Sequence, residues 1–113
     1  MHRNYWKNKG NTRMDKGEAI NKVREYSILL KKYIPLEKVY LFGSYAKNTN
    51  RSDSDIDVAI VVNRLEGDFF TIQPLLWKLR RQVDDRIEPI LIEKDNDYSG
   101  FLIEIQRNGI EIA

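Results

Sequence analysis

The sequence predicts an α/β (α+β) fold: a small mixed sheet of about four strands, with helices packed mainly on one face. Three observations point there. Runs of β-branched and aromatic residues occur at 38–42, 57–62 and 86–92, with a short candidate edge strand at 110–112. Stretches with apolar residues at helical spacing fall before, between and after them. The chain has 113 residues and is 42% hydrophobic, which suits one domain with a single core.

The first 14 residues carry His2, Arg3, Lys7, Lys9 and Arg13 and no acid. They show no apolar periodicity, so 1–14 reads as a flexible basic tail and 15–113 as the domain. Such a tail is either a solvated end or an arm that docks a partner. Asp15 followed by Glu18 has the pattern of a capping box. Ile20, Val23, Leu30 and Ile34 then recur at helical spacing with Ser27 in the gap, and Pro35 stops the helix. Val39, Tyr40, Leu41 and Phe42 form the first strand, which delivers Gly43-Ser44 at its end. One helical turn over 45–47 and a polar loop over 48–53 lead to the buried strand 57–62.

A second polar connection over 63–68 hinges on Gly67. The helix expected over 71–83 keeps Pro74 in its first turn and aligns Ile72, Leu75, Leu76, Leu79 and Val83 in one stripe. Trp77 and the cluster Lys78, Arg80 and Arg81 fall on its other faces. They read as a packing Trp and a solvated face, because the interleaved aromatics of a nucleic-acid groove are missing. The third strand, 86–92, contains Pro89, which marks an edge strand or a bulge. A short helix over 99–108 ends at Gly109.

Composition excludes several classes. With no Cys there is no disulfide framework and no Cys-based zinc site. No apolar run is long enough to span a bilayer, and no signal-peptide pattern is present. A cytoplasmic location without membrane contact is the expectation. A formal charge of +2 is too small to argue for nucleic-acid binding from bulk electrostatics.

The chemistry concentrates between Gly43 and Val62. Gly lets backbone approach a ligand closely, and Ser44 adds a hydroxyl beside exposed N–H groups, which suits a phosphate. Asp55 and Asp57 fall on one side of an extended segment, with Cα atoms roughly 6.5–7 Å apart, while Ile56 points to the core. Two carboxylates so spaced suit hard cations, including a pair about 3.5–4 Å apart.

Gly43-Ser44-Tyr45-Ala46 followed by Ser54-Asp55-Ile56-Asp57-Val58 resembles the G-S-x-A-x-G…S-D-I-D-[LV] signature of the DNA polymerase beta-like nucleotidyltransferases. The similarity runs from about Glu18 to the C-terminus. It is greatest to the minimal nucleotidyltransferases, which pair with HEPN-domain toxins in toxin–antitoxin systems. The second glycine of the signature is replaced by Asn48, a residue that tolerates the left-handed conformation.

The resemblance implies a polymerase beta-like fold and a metal-dependent transfer of AMP from ATP, with two Mg²⁺ ions for which Mn²⁺ can substitute. Asp55 and Asp57 would hold the metals. Glu88, alone on its strand face, stands where the family places its third carboxylate, often an Asp, and would also act as general base. Asp84 and Asp85 are the alternatives to it. Ser44 and nearby backbone N–H groups, with Gly43, would hold the β- and γ-phosphates, joined by Lys47 and Arg51. The acceptor implied is a hydroxyl of a HEPN-type toxin, a tyrosine, so that the chain acts as an antitoxin. Two other readings stay open: a binding-only antitoxin that masks its partner, and transfer to a small-molecule hydroxyl.

Overall fold

In the computed structural model, which describes residues 14–63, 69–96 and 100–113, four strands form one sheet in the order β3-β2-β1-β4. The strands are β1 (Leu36–Phe42), β2 (Ile56–Val62), β3 (Ile87–Glu93) and β4 (Ile110–Glu111). β1 runs antiparallel to both β2 and β4, and β2 runs parallel to β3, so the sheet is mixed as expected. The helices are α1 (Lys16–Leu30), the single turn α2 (Gly43–Ala46), α3 (Phe69–Arg80) and α4 (Phe101–Asn108).

Alternation along the strands divides the core. Val39, Leu41, Ile56, Val58, Ile60 and Val62 face α1 and α3. Tyr40, Ala59, Val61 and Ile92 face the other way, where Leu102 and Ile105 of α4 cover them. Three helices therefore lie on one face, and α4 lies on the other.

α1 begins as predicted. The Glu18 backbone N–H donates to Asp15 Oδ1 at 2.8 Å, and the Asp15 N–H donates to Glu18 Oε1 at 3.0 Å. It ends at Leu30, and turns rather than helix occupy the residues up to Ile34. Tyr26 is fully buried, and its hydroxyl donates to the Leu76 carbonyl at 2.7 Å, tying α1 to α3. Its polar tip hides this core residue from a purely apolar count.

α3 starts earlier than the sequence suggests and ends earlier, at Arg80. Pro74 thus lies beyond the first turn, on an exposed face where the missing N–H is easily accommodated. Gly67 and residues 1–13 lie outside the described residues. Met14, assigned to the tail on sequence grounds, is buried, and its carbonyl accepts from Asn50 Nδ2 at 2.8 Å. Among the described residues, no helix is long and apolar enough to cross a membrane.

Candidate active site

β1 ends at Phe42, and the chain turns at once into α2 through Gly43, whose φ is +74°. This left-handed value is open to glycine and costly for most other residues. Space makes the same demand. A Cβ at Gly43 would overlap Asp57 Oδ2 and would lie 3.0 Å from Asp57 Cγ. The Gly-Ser turn and the second acid of the Asp-x-Asp pair are therefore one packed unit.

Asp57 stands in register between Phe42 on β1 and Glu88 on β3. Side chains of in-register neighbours project to the same side of a sheet, so Asp57 and Glu88 lie side by side on the face that α4 partly covers. Asp55, exposed just ahead of β2, completes the group, close enough for its charge to act on both Asp57 and Glu88.

The electrostatics record the crowding. Burial first, then the negative charges of Glu88 and Asp55, together push the Asp57 carboxyl up to about 6. Glu88 is also raised, first by desolvation, then by the charge of Asp55 and the hydrogen bond to it, while Arg80 pulls it back.

Arg80, expected on a solvated face, instead lies close enough to this group for its charge to act on Glu88. It is half-buried at the end of α3, where Nη1 donates to the carbonyls of Asp85 and Ile87 and the guanidinium stacks 4.7 Å from the Trp77 ring centre. Its position in the last turn beside two acids, only a few residues before Glu88, is the signal that could have found it.

The alternatives to Glu88 are engaged elsewhere. Asp84 accepts from Arg86 Nε at 3.0 Å and Nη2 at 2.9 Å, which holds its carboxyl below the usual range despite burial. Asp85 is exposed, and its carbonyl serves Arg80. Ser44 is the second residue of α2, and its carbonyl accepts from the Thr49 N–H at 2.9 Å, closing the turn. Lys47 is exposed at the border of a cleft between α2 and α4. Arg51 is exposed in a tight turn, its backbone N–H donating to Ser54 Oγ at 2.7 Å.

Asn48 has φ +61°, so the replacement for the second glycine does adopt the left-handed conformation. Asn48→Gly is expected to be neutral or slightly stabilising. Asn48→Ala should cost about 1–2 kcal/mol in denaturant titrations, the price of the left-handed state for a residue with a Cβ and no compensating amide.

The donor set of Asp55, Asp57 and Glu88 is all carboxylate oxygen, which suits Mg²⁺ or Mn²⁺ rather than a soft metal. Among the described residues, no three His, Cys, Asp or Glu side chains already converge on one point as a closed metal cage. Mg²⁺ does not require one, because it takes one or two carboxylates together with water and substrate phosphates. Three neighbouring acids, with the proton affinity of Asp57 and Glu88 raised, fit a site that a cation would relieve.

Comparisons with known proteins agree on the family and the fold. The profile of the family described as "Polymerase beta, Nucleotidyltransferase" matches residues 24–113. A protein of Methanocaldococcus jannaschii described as a candidate protein adenylyltransferase is 32% identical over 79 residues, covering 68% of this chain and 79% of that one. The crystal structure of a toxin–antitoxin with AMP-PNP superposes with a TM-score of 0.62 at 26% identity, over 83% of this chain and 72% of that one. A candidate nucleotidyltransferase from Sulfolobus solfataricus shares the fold, with a TM-score of 0.60 at 19% identity over 85% of this chain and 80% of that one.

Proposed function

The chain belongs to the polymerase beta nucleotidyltransferase family and is a nucleotidyltransferase, and we propose that it transfers AMP from ATP to a tyrosine hydroxyl of a HEPN-type toxin, acting as its antitoxin. The observation that carries this reading is the contact of Gly43 with Asp57, beside Glu88. It sets a phosphate-accepting turn directly against a carboxylate group. That a protein adenylyltransferase and a nucleotide-bound toxin–antitoxin are among the similar proteins supports the acceptor class.

In the transfer, the acceptor oxygen forms a bond to the α-phosphorus while the bond from that phosphorus to the bridging oxygen breaks, and pyrophosphate leaves. Gly43, Ser44 and nearby backbone N–H groups hold the β- and γ-phosphates, with Lys47 and Arg51 close enough along the chain to join them. Asp55 and Asp57 would hold divalent cations, which when bound neutralise the phosphates and stabilise the leaving oxygen. Glu88 would share in holding the second cation and accepts the proton of the attacking hydroxyl. Its raised proton affinity suits that role, and Arg80 keeps the affinity from rising further.

Among the described residues nothing closes over Glu88, which is exposed, and alignment of an acceptor accounts for several kcal/mol of such a barrier. A folded partner that brings its own hydroxyl supplies that alignment, which disfavours a small-molecule acceptor.

Two measurements test the reading. ATP with Mg²⁺ or Mn²⁺ at about 100 times its Kd should add about 2.7 kcal/mol to stability, a rise of several degrees in Tm that chelator largely abolishes. Equal shifts with and without metal count against the site. Incubation with the partner toxin, ATP and Mg²⁺ should leave the partner heavier by one or more AMP units on tyrosine. Full protection of cells by the Asp55/Asp57 double variant, with no change in partner mass, would establish binding-only action instead.

A further inference from the structure

The cleft between α2 and α4 shares Gly43 and Lys47 with the phosphate-holding turn and continues past them to the α4 residues, which have no chemical role assigned so far. Its floor is apolar. Phe42 and Phe101 meet edge to face there, with ring centres 5.7 Å apart at 86°, and Ile105 is buried beside them. Its rim is polar, formed by Lys47, Glu104 and Asn108. Glu104 and Asn108 are one helical turn apart on α4 and so share a side of that helix. The cleft also includes Gly43, which abuts Asp57, and therefore opens beside the reacting centre.

An apolar floor with a few convergent polar groups is the composition of a ligand subsite. Its volume of ≈ 90 Å³ is well below the roughly 300–1,000 Å³ of pockets that enclose whole small molecules, so it suits one edge of a planar ring. We propose that this cleft receives the edge of the donor's nucleobase, and that Glu104 and Asn108 select adenine or cytosine, which carry an amine at purine C6 or pyrimidine C4, over guanine or uracil, which carry a keto oxygen at that position. The proposal rests on the nucleotidyl-transfer reading above and adds to it a base-reading site on α4.

The discrimination comes from hydrogen-bond chemistry. An ionised Glu only accepts, so it pairs with an amine and opposes a keto oxygen, whereas an Asn amide both donates and accepts. Asn108 can therefore serve the ring nitrogen next to the amine, and Glu104 makes the choice. A carboxylate in the first turn of a helix is favoured by the helix dipole in any case. Stability alone therefore cannot separate the roles, and base preference can.

The test is an equilibrium titration of the full chain with Mg²⁺ against ATP, CTP, GTP, UTP and inorganic tripolyphosphate. The wild type should bind ATP and CTP at least about tenfold tighter than GTP and UTP. Glu104→Gln, which keeps length and gains a donor, should remove most of that ratio. Asn108→Ala should weaken all four nucleotides. Both residues are exposed, so both variants keep the fold, and both should bind tripolyphosphate as the wild type does. A wild type without preference, or a Glu104→Gln variant that retains it, while tripolyphosphate still binds, overturns the base site and leaves nucleotidyl transfer standing. Failure of all five ligands to bind overturns both.

Discussion

Asp57→Asn is expected to lower transfer by about a thousandfold or more and, at the same time, to stabilise the metal-free protein at neutral pH. The kinetic loss follows from removing a metal-holding charge where cations stabilise the transition state by several kcal/mol. The gain follows from the raised affinity of Asp57 for its proton. Its carboxyl titrates at about 6 in the fold and near 3.9 when unfolded. A group raised in this way contributes stability that is fully present below about pH 4 and is lost as pH rises through 6. Above pH 6 the ionised Asp57 thus costs the metal-free fold up to about 3 kcal/mol, which an uncharged Asn of the same shape avoids. Denaturant titrations of wild type and variant in chelator should diverge between pH 4 and 6 and stay apart above it. Mg²⁺ with ATP should narrow the gap by stabilising the wild type. Near-normal transfer by both Asp55→Asn and Asp57→Asn would remove these residues from the catalytic site.

Gly43→Ala should damage stability and transfer together. The left-handed backbone costs an alanine about 1–2 kcal/mol. The new methyl would also occupy the place of Asp57 Oδ2, so the carboxylate or the turn must move. Misplacement by about 1 Å at a reacting centre can cost about a hundredfold in rate. The expected result is a Tm several degrees lower and transfer about a hundredfold slower. Adding Asp57→Ala should recover part of the lost stability and none of the activity, because two groups that compete for one space do not act additively. A Gly43→Ala enzyme with normal transfer would show that the contact between turn and carboxylate is incidental.

The order of elements, the mixed sheet and the capping of α1 were legible because each rests on a local pattern: alternation, helical spacing, or Asp15 with Glu18. The pairing of Gly43-Ser44 with Asp55 and Asp57 was legible as a motif. What lay beyond the sequence was contact between distant segments. Asp57 and Glu88 become neighbours only through the parallel register of β2 and β3, which no spacing along the chain reveals. Arg80 looked solvated because it stands in a basic cluster, and only the turn at Asp85 and the ring of Trp77 fold it inward. The cleft of Phe42, Phe101, Glu104 and Asn108 exists only because α4 crosses to the face opposite the other helices.

The outer position of β3 carries a consequence for handling the protein. Among the described residues β3 pairs with one strand, β2, and it holds the exposed Glu88 and the ring of Pro89. An unpaired strand invites a second chain to add alongside it, and natural sheets deter this with charges and prolines. Two molecules approaching through β3 would oppose one Glu88 to another and meet a missing donor at Pro89. The carboxylate proposed as general base would therefore also act as a gatekeeper against aggregation. Glu88→Gln, the natural choice for testing the general base, removes the charge half of that protection. Its sedimentation or light scattering across a concentration series belongs beside its kinetics, so that self-association is not misread as slow catalysis.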